Sequence, residues 1–229
     1  MNVLILCGGM GTRLRPLTYV LPKPLFPIDD KVLVHKLLEH LDLQGLTDVT
    51  LSLGYKGAFV RNYCESEGLK VRYVSEDAPL GTAGPCRLIK DEVKANILLL
   101  NGDILTTMNF RKMEQFHKDN GCGITVAYKE HEKRTPFGEI VLDGQNNIVD
   151  IVEKPTAKAN IFIGISIVRK DVLGLIGENE SIDMPALIKR VVKENLTVKG
   201  YGLLPGEKWN ALEHMFQFDG KNISKIEEA

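Results

Sequence analysis

Two short runs in this chain, VLIL at 3–6 and ILLL at 97–100, are apolar at every position. A strand with one wet face alternates apolar and polar residues, whereas a strand covered on both faces need not. The first run breaks into glycines and the second into Asn101-Gly102-Asp103, so neither is long enough to read as a helix. Each predicts a strand buried on both faces, and such strands require a sheet with a layer of structure on either side.

The segments between and around these runs fit that frame. Leu33, Leu37, Leu38 and Leu41 recur at helical spacing until Gly45 stops the pattern. DVTLSL at 48–53 alternates as a strand, AFVRNYCESEG at 58–68 reads as a helix closed by Gly68, and LKVRYV at 69–74 as another strand. Thr82 is expected to cap a helix running through Lys90, with Pro85 tolerated in its first turn. Residues 109–120 form an amphipathic helix with Phe110, Met113 and Phe116 on one side. Strand and helix in alternation predict an α/β fold, a Rossmann-like three-layer sandwich around a mostly parallel mixed sheet.

Past residue 122 the rhythm changes. GITVAYKE, FGEIVLD, NIVDIVEKP and IFIGISIV read as strands, with GQN at 144–146 as a hairpin signal between the second and third. DMPALIKRVVKEN at 183–195 reads as a helix with proline in its first turn. No linker, repeat or low-complexity segment interrupts the chain, so the expectation is a single domain over 1–229 with a β-rich second half.

Charge narrows the partners. With 29 basic and 30 acidic residues the formal charge is −1, which offers nucleic acid no basic face and leaves no acidic tail. Cys7, Cys64, Cys86 and Cys122 are far apart, without a CxxC pair, and read as buried thiols rather than as zinc ligands or a disulfide framework. No basic segment precedes Val3, and no apolar run approaches the roughly 20 residues that cross a bilayer. The default expectation is a cytoplasmic protein with a small-molecule ligand, no nucleic acid and no membrane partner.

The stretch after the first strand, LILCGGMGTRLRPLTYVLPKPLFPI at 4–28, carries the chemistry. Gly8, Gly9 and Gly11 let main-chain N–H groups approach an anion closely, because no Cβ stands in the way. Arg13 can grip phosphate oxygens bidentately, and Lys23 supplies a point charge from a frame stiffened by prolines 22, 24 and 27. Counting from Gly8, the sixth position is Arg13, so the loop is not a P-loop; Leu14 stands where a dinucleotide fingerprint needs its third glycine. The latter sets aside a nicotinamide-dependent oxidoreductase.

GGMGTRLRPLT…PKPL resembles the signature of the sugar-1-phosphate nucleotidyltransferases, which join a nucleoside triphosphate to a sugar 1-phosphate and release pyrophosphate. PLGTAGP at 79–85, NGD at 101–103, FGEI at 137–140 and VEKP at 152–155 match further motifs of that family in its order. The resemblance implies a nucleotide-binding half over about 1–120 and a sugar-phosphate-binding half over about 121–229. It implies a nucleotide site formed by Leu6, Gly8, Gly9, Gly11, Thr12, Arg13, Glu76, Gly81, Thr82 and Asp103. Arg13, Lys23 and Asp103 take the catalytic roles, and Asp103 is a ligand of Mg²⁺, a hard cation suited to a carboxylate at a strand end. Gly138, Glu153, Lys154 and Phe162 fall at the sugar-phosphate positions.

Guanine offers two adjacent donors that the Glu76 carboxylate could accept together, and PLGTAGP is similar to the mannose-1-phosphate and heptose-1-phosphate guanylyltransferases. GTP is therefore the favoured donor, with UTP, dTTP and CTP left open. Two departures matter. Phe162 stands where the family places asparagine near the sugar, which implies a more apolar pocket and an unusual or deoxygenated sugar, or a different phosphorylated alcohol. The family's W-x-D-x-G motif, whose aspartate completes the metal site, is altered in KWNALEHMFQFDGKN. Anchoring on Trp209 puts Ala211 at the aspartate position, whereas anchoring on FDG recovers Asp219. Loss of that ligand is the one feature favouring a catalytically weakened, nucleotide-binding regulatory homologue. The repeat-rich extension that many relatives carry is not seen after residue 200, and a homodimer remains open.

Overall fold

A computed structural model describes residues 1–212. In chain order the elements are β1 (Asn2–Cys7), β2 (Pro27–Ile28), β3 (Lys31–Val32), α1 (Leu33–Leu43), β4 (Val49–Leu53), α2 (Gly57–Ser66) and β5 (Arg72–Ser75). There follow β6 (Asn96–Asn101), β7 (Ile104–Thr106), α3 (Phe110–Asp119), β8 (Ile124–Arg134), β9 (Glu139–Leu142) and β10 (Ile148–Val152). The remainder is β11 (Thr156–Arg169), α4 (Met184–Lys193), β12 (Val198–Gly202) and β13 (Trp209–Ala211).

Seven strands form the central sheet in the order β12-β8-β11-β6-β1-β4-β5. β1 pairs parallel with β4 and β6, β4 with β5, and β12 with β8, while β11 runs antiparallel to both β6 and β8. The sheet is thus mixed and mostly parallel, as the alternation of apolar runs and helices predicts.

Both fully apolar runs are buried on both faces, and the reason lies in how their side chains divide. Val3, Ile5 and Cys7 of β1, with Leu98 and Leu100 of β6, enter a core shared with Leu37 and Leu41 of α1, Val60 of α2 and Phe110 and Met113 of α3. Leu4, Ile97 and Leu99 enter the opposite core, shared with Leu187 and Val191 of α4. Alternate residues of one strand therefore serve two hydrophobic layers, so no position is left to be polar. A small third cluster gathers Leu14, Phe26, Ile28, Leu33 and Leu212 under the first loop.

Two local expectations change. Residues 84–89 form a 3₁₀ stretch (Gly84–Ile89) rather than an α-helix capped by Thr82. The Thr82 hydroxyl instead accepts the N–H of Met184 at 2.8 Å, at the start of α4. Pro85 lacks a donor, and Gly84 lies so close to the Glu180 carbonyl that a Cβ would come within 2.5 Å of it, which holds the segment as a tight turn. The second difference is length: β8 and β11 run on well past their apolar parts and pair from Tyr128↔Phe162 out to Arg134↔Thr156. This ribbon carries the β9–β10 hairpin, which forms its own two-stranded sheet.

Candidate functional site

At β1 the sheet order switches direction, with β4 reached through α1 on one side and β6 on the other. Loops leaving the carboxyl ends of such strands part and leave a crevice. An open cleft of about 320 Å³ lies there. Its walls come from the loop after β1 (Leu6, Gly8, Gly9, Gly11), from Lys23, and from the loop after β5 (Glu76, Gly81, Thr82). Asp103, just past β6, closes the fourth side.

The first loop turns tightly before it reaches Lys23. Gly11 takes φ +58°, and a Cβ there would sit 2.8 Å from Cγ2 of Thr18, so both conformation and space call for glycine. The Thr18 hydroxyl donates to the Gly11 carbonyl at 3.0 Å, tying the two ends of the loop together. Lys23 opens a short 3₁₀ turn, Lys23–Leu25, anchored by buried Leu25 and Phe26 and by N–H bonds from Leu25 to the Pro22 carbonyl (2.9 Å) and from Phe26 to the Lys23 carbonyl (3.0 Å). The lysine is presented by backbone that is already ordered.

Lys23 Nζ donates to Asp103 Oδ2, with the two side chains only 16% and 25% exposed. The other carboxylate oxygen, Oδ1, is buried and has no hydrogen-bond partner among the described residues. A buried, unpartnered anionic oxygen costs stability unless something binds it. A hard divalent cation fits that oxygen, since Mg²⁺ takes one or two carboxylates and fills its remaining positions with phosphate oxygens and water. Gly102 brings this aspartate into place: its N–H donates to the Leu6 carbonyl at 2.9 Å, and a Cβ would lie 2.5 Å from that oxygen.

Glu76 lies against the glycine loop, with Oε1 accepting from the Ser52 hydroxyl at 2.7 Å and Oε2 accepting from Leu80 N–H at 3.1 Å. Both bonds leave lone pairs free on a carboxylate held in one orientation. Cys7 also lines the cleft, but burial pushes its thiol far up from its ordinary range, so it stays protonated and serves packing. Asn101 and Pro79 line the cleft as well and were missed by sequence reasoning. Asn101 could have been found, because it ends the buried strand one residue before Gly102 and Asp103.

The remaining candidates are not part of that lining. Thr12 and Arg13 sit exposed on the turn Thr12–Leu14, outside the cleft wall, and the Arg13 guanidinium has no partner among the described residues. Gly138, Glu153 and Lys154 come together on the β9–β10 hairpin, with Glu153 Oε1 3.7 Å from Lys154 Nζ. None of the three lines the cleft, and Glu153 is 72% exposed. Phe162, on the ribbon opposite Tyr128, is also half exposed; it does not line the cleft, although Gly164 on the same strand packs against the cleft residue Asn101. β13 does reach the metal candidate: Ala211 pairs with Ile104 of β7, and Leu212 N–H donates to the Asp103 carbonyl at 3.2 Å. That strand brings Ala211, the residue at the aspartate position when the motif is anchored on Trp209. Asp219 lies outside the described residues.

A glycine loop at the switch point of an α/β sheet, faced by a lysine and a half-satisfied aspartate, has the chemistry that suits a phosphorylated ligand. The chain belongs to the nucleotidyl transferase family, whose sequence model matches residues 2–197. It is 32% identical over 222 residues to a mannose-1-phosphate guanyltransferase of Candida albicans, covering 90% of this chain and 61% of that protein. It is 33% identical over 175 residues to the D-glycero-alpha-D-manno-heptose 1-phosphate guanylyltransferase of Campylobacter jejuni, covering 75% and 77% of the two chains. Among solved structures, HddC from Yersinia pseudotuberculosis shares the fold at a TM-score of 0.76 and 23% identity, over 98% of each chain. The same protein complexed with GMP-PN superposes at 0.71, with 22% identity over 99% of this chain and 98% of that one.

Proposed function

We propose that this chain transfers a guanylyl group from GTP to a mannose- or heptose-like sugar 1-phosphate, giving a nucleoside diphosphate sugar and pyrophosphate. The observation that carries it is the Lys23–Asp103 pair at the mouth of the glycine loop, with Asp103 Oδ1 left for a cation. The two guanylyltransferase relatives support the donor and the acceptor class. In this reading the two halves act as one catalytic unit, which the pairing of β6 with β11 across them supports.

An oxygen of the sugar phosphate attacks the α-phosphorus, and the bond from that phosphorus to the bridging oxygen of the β-phosphate breaks, so pyrophosphate leaves with the electron pair. The attacking phosphate is already anionic, so the chain has to position reactants and offset charge rather than remove a proton. Backbone N–H groups of Gly8, Gly9 and Gly11 cradle the triphosphate, and Lys23 offers its ammonium to the reacting phosphates. Arg13, unpartnered on the loop's outer turn, folds over the leaving pyrophosphate. Asp103 would hold Mg²⁺, which when bound offsets charge on the triphosphate. Glu76 accepts from the guanine edge, while Glu153 and Lys154 hold the sugar hydroxyls and its phosphate.

The test is pyrophosphate release with Mg²⁺ across four nucleoside triphosphates and a panel of sugar 1-phosphates. Release with GTP and a manno-configured acceptor is the expected result, and preference for another base would overturn the donor assignment. A second reading rests on Ala211, which leaves β13 without a carboxylate beside Asp103. Nucleotide binding without turnover for any pair would favour a regulatory homologue.

A further inference from the structure

The edge of the cleft at Gly81 and Thr82 is tied to a segment 101 residues further along the chain. Ile182 N–H donates to the Leu80 carbonyl at 3.0 Å, and the Ile182 carbonyl accepts from Ala83 N–H at 2.9 Å and from Gly84 N–H at 3.1 Å. Beside these backbone bonds stands Asp183, whose Oδ1 accepts from Thr82 N–H at 3.0 Å and from the Thr82 hydroxyl at 3.3 Å. Asp183 begins α4, where an aspartate ordinarily accepts N–H groups of its own helix. Here it makes no such bond: Pro185 offers no N–H, and the carboxylate is turned to Thr82. The Thr82 hydroxyl takes over at the helix start by accepting from Met184 N–H.

This swap of partners secures a backbone that would not hold its shape alone. Gly81 takes φ +75°, and a Cβ there would lie 2.7 Å from the Ile182 carbonyl oxygen and 2.9 Å from Asp183 Oδ1. Glycine loses more conformational freedom on ordering than any other residue. Two carboxylates hold it from either side: Glu76 Oε2 accepts from Leu80 N–H at 3.1 Å, and Asp183 Oδ1 from Thr82 N–H. Glu76, Gly81 and Thr82 line the cleft, whereas Asp183 does not.

We propose that Asp183 is a positioning residue for the nucleotide: it touches no ligand, and by holding Thr82 it keeps the Gly81–Thr82 edge in the conformation that receives the nucleobase. That this edge meets a nucleobase rests on the function proposed above, whereas the ordering of the edge by Asp183 is tested independently of it. With the edge already ordered, binding does not have to supply the ordering entropy. Without the anchor only a fraction of the molecules present a competent cleft, and the apparent affinity falls by that fraction. A competent fraction of about one tenth raises the apparent Kd about tenfold.

Asp183→Ala should raise KM for GTP, or for whichever nucleoside triphosphate the wild type prefers, about tenfold, with kcat and the KM for the sugar 1-phosphate within about twofold of wild type. Asp183→Asn keeps an accepting Oδ1 and loses the charge that favours a helix start. It should therefore lower the urea midpoint as the alanine variant does, yet bring KM back to within about threefold of wild type. A KM that tracks the urea midpoint across both variants, or an alanine variant with wild-type KM, would overturn the proposal. Equilibrium binding of GTP should show the same change, about tenfold in Kd, without any turnover. Amide hydrogen exchange of the ligand-free chains reads the anchoring itself. Thr82 N–H should exchange faster in Asp183→Ala than in wild type, and equal rates would overturn the proposal whatever the nucleotide. A wild type that binds no nucleoside triphosphate would instead remove the functional reading, and the exchange rates would still decide whether Asp183 orders this edge.

Discussion

Replacing Asp103 by asparagine keeps the shape of the side chain and removes its charge. Two opposing effects on stability follow from the geometry. The variant loses the charge that balances Lys23, a pair only 16% and 25% exposed, which costs about 1–3 kcal/mol for a hydrogen bond to a charged group. It also relieves the burial of an unpartnered anionic oxygen, which is worth about as much in the other direction. The net change should stay within about 1 kcal/mol, or a few degrees in Tm for a chain of this size. Catalysis has no such compensation. If Asp103 holds the cation as proposed, losing the carboxylate removes on the order of 3–5 kcal/mol of transition-state stabilisation, or about 10²–10⁴ in kcat/KM. Pyrophosphate release measured against Mg²⁺ concentration, paired with melting curves taken with and without Mg²⁺ and GTP, reads both quantities. A variant that keeps a tenth of wild-type kcat/KM, or that gains as much in Tm from Mg²⁺ and GTP as wild type does, would refute the reasoning.

Lys23→Ala should lower turnover by orders of magnitude and, because it strips Asp103 of its partner, lower stability by about 1–3 kcal/mol in urea with circular dichroism unchanged; an unaltered rate would remove the lysine from the chemistry. Gly102→Ala should destabilise the chain by about 2–4 kcal/mol, because its Cβ would meet the Leu6 carbonyl at 2.5 Å between two paired strands, and a urea midpoint equal to wild type would contradict this. His117 is buried with Nδ1 2.9 Å from the Thr125 hydroxyl, and burial lowers its pKa from 6.5 to about 4. Between those values the unfolded chain binds a proton that the folded chain does not. Stability is therefore full above pH 6.5 and falls as pH drops towards 4, by up to about 3 kcal/mol. Urea midpoints of wild type and His117→Asn across pH 4.5–7 should diverge in slope, and parallel curves would exclude the histidine as the cause.

Elements with a strong local signature were legible from the chain alone. The helices at 33–43 and 110–119 follow their apolar spacing, and α3 is capped as its sequence implies, with Asn109 Oδ1 accepting from Lys112 N–H at 3.0 Å. What escaped depends on partners far away in sequence. Thr82 serves the start of α4, 102 residues on, so no local pattern could show which helix it caps. β7 and β13 are three-residue strands whose only signal is each other. The outer part of the β8–β11 ribbon, from Glu130 to Arg134, is charged on both faces and is held by backbone pairing rather than by an apolar stripe.

For the site, residue type and order sufficed to single out the glycine loop, the lysine and the carboxylate that the structure brings to one cleft. Glycine tolerance, proline stiffness and a carboxylate ending a buried strand are properties of the chain itself. Only the tertiary structure decided that Lys23 meets Asp103 across 80 residues, that one oxygen of that carboxylate stays unpartnered, and that Glu76 is held against the loop by Ser52. It also brought Glu153, Lys154 and Gly138 together at the base of the β9–β10 hairpin. These are outcomes of which strands lie next to which and how far a ribbon extends, and side-chain pattern within one segment does not encode them.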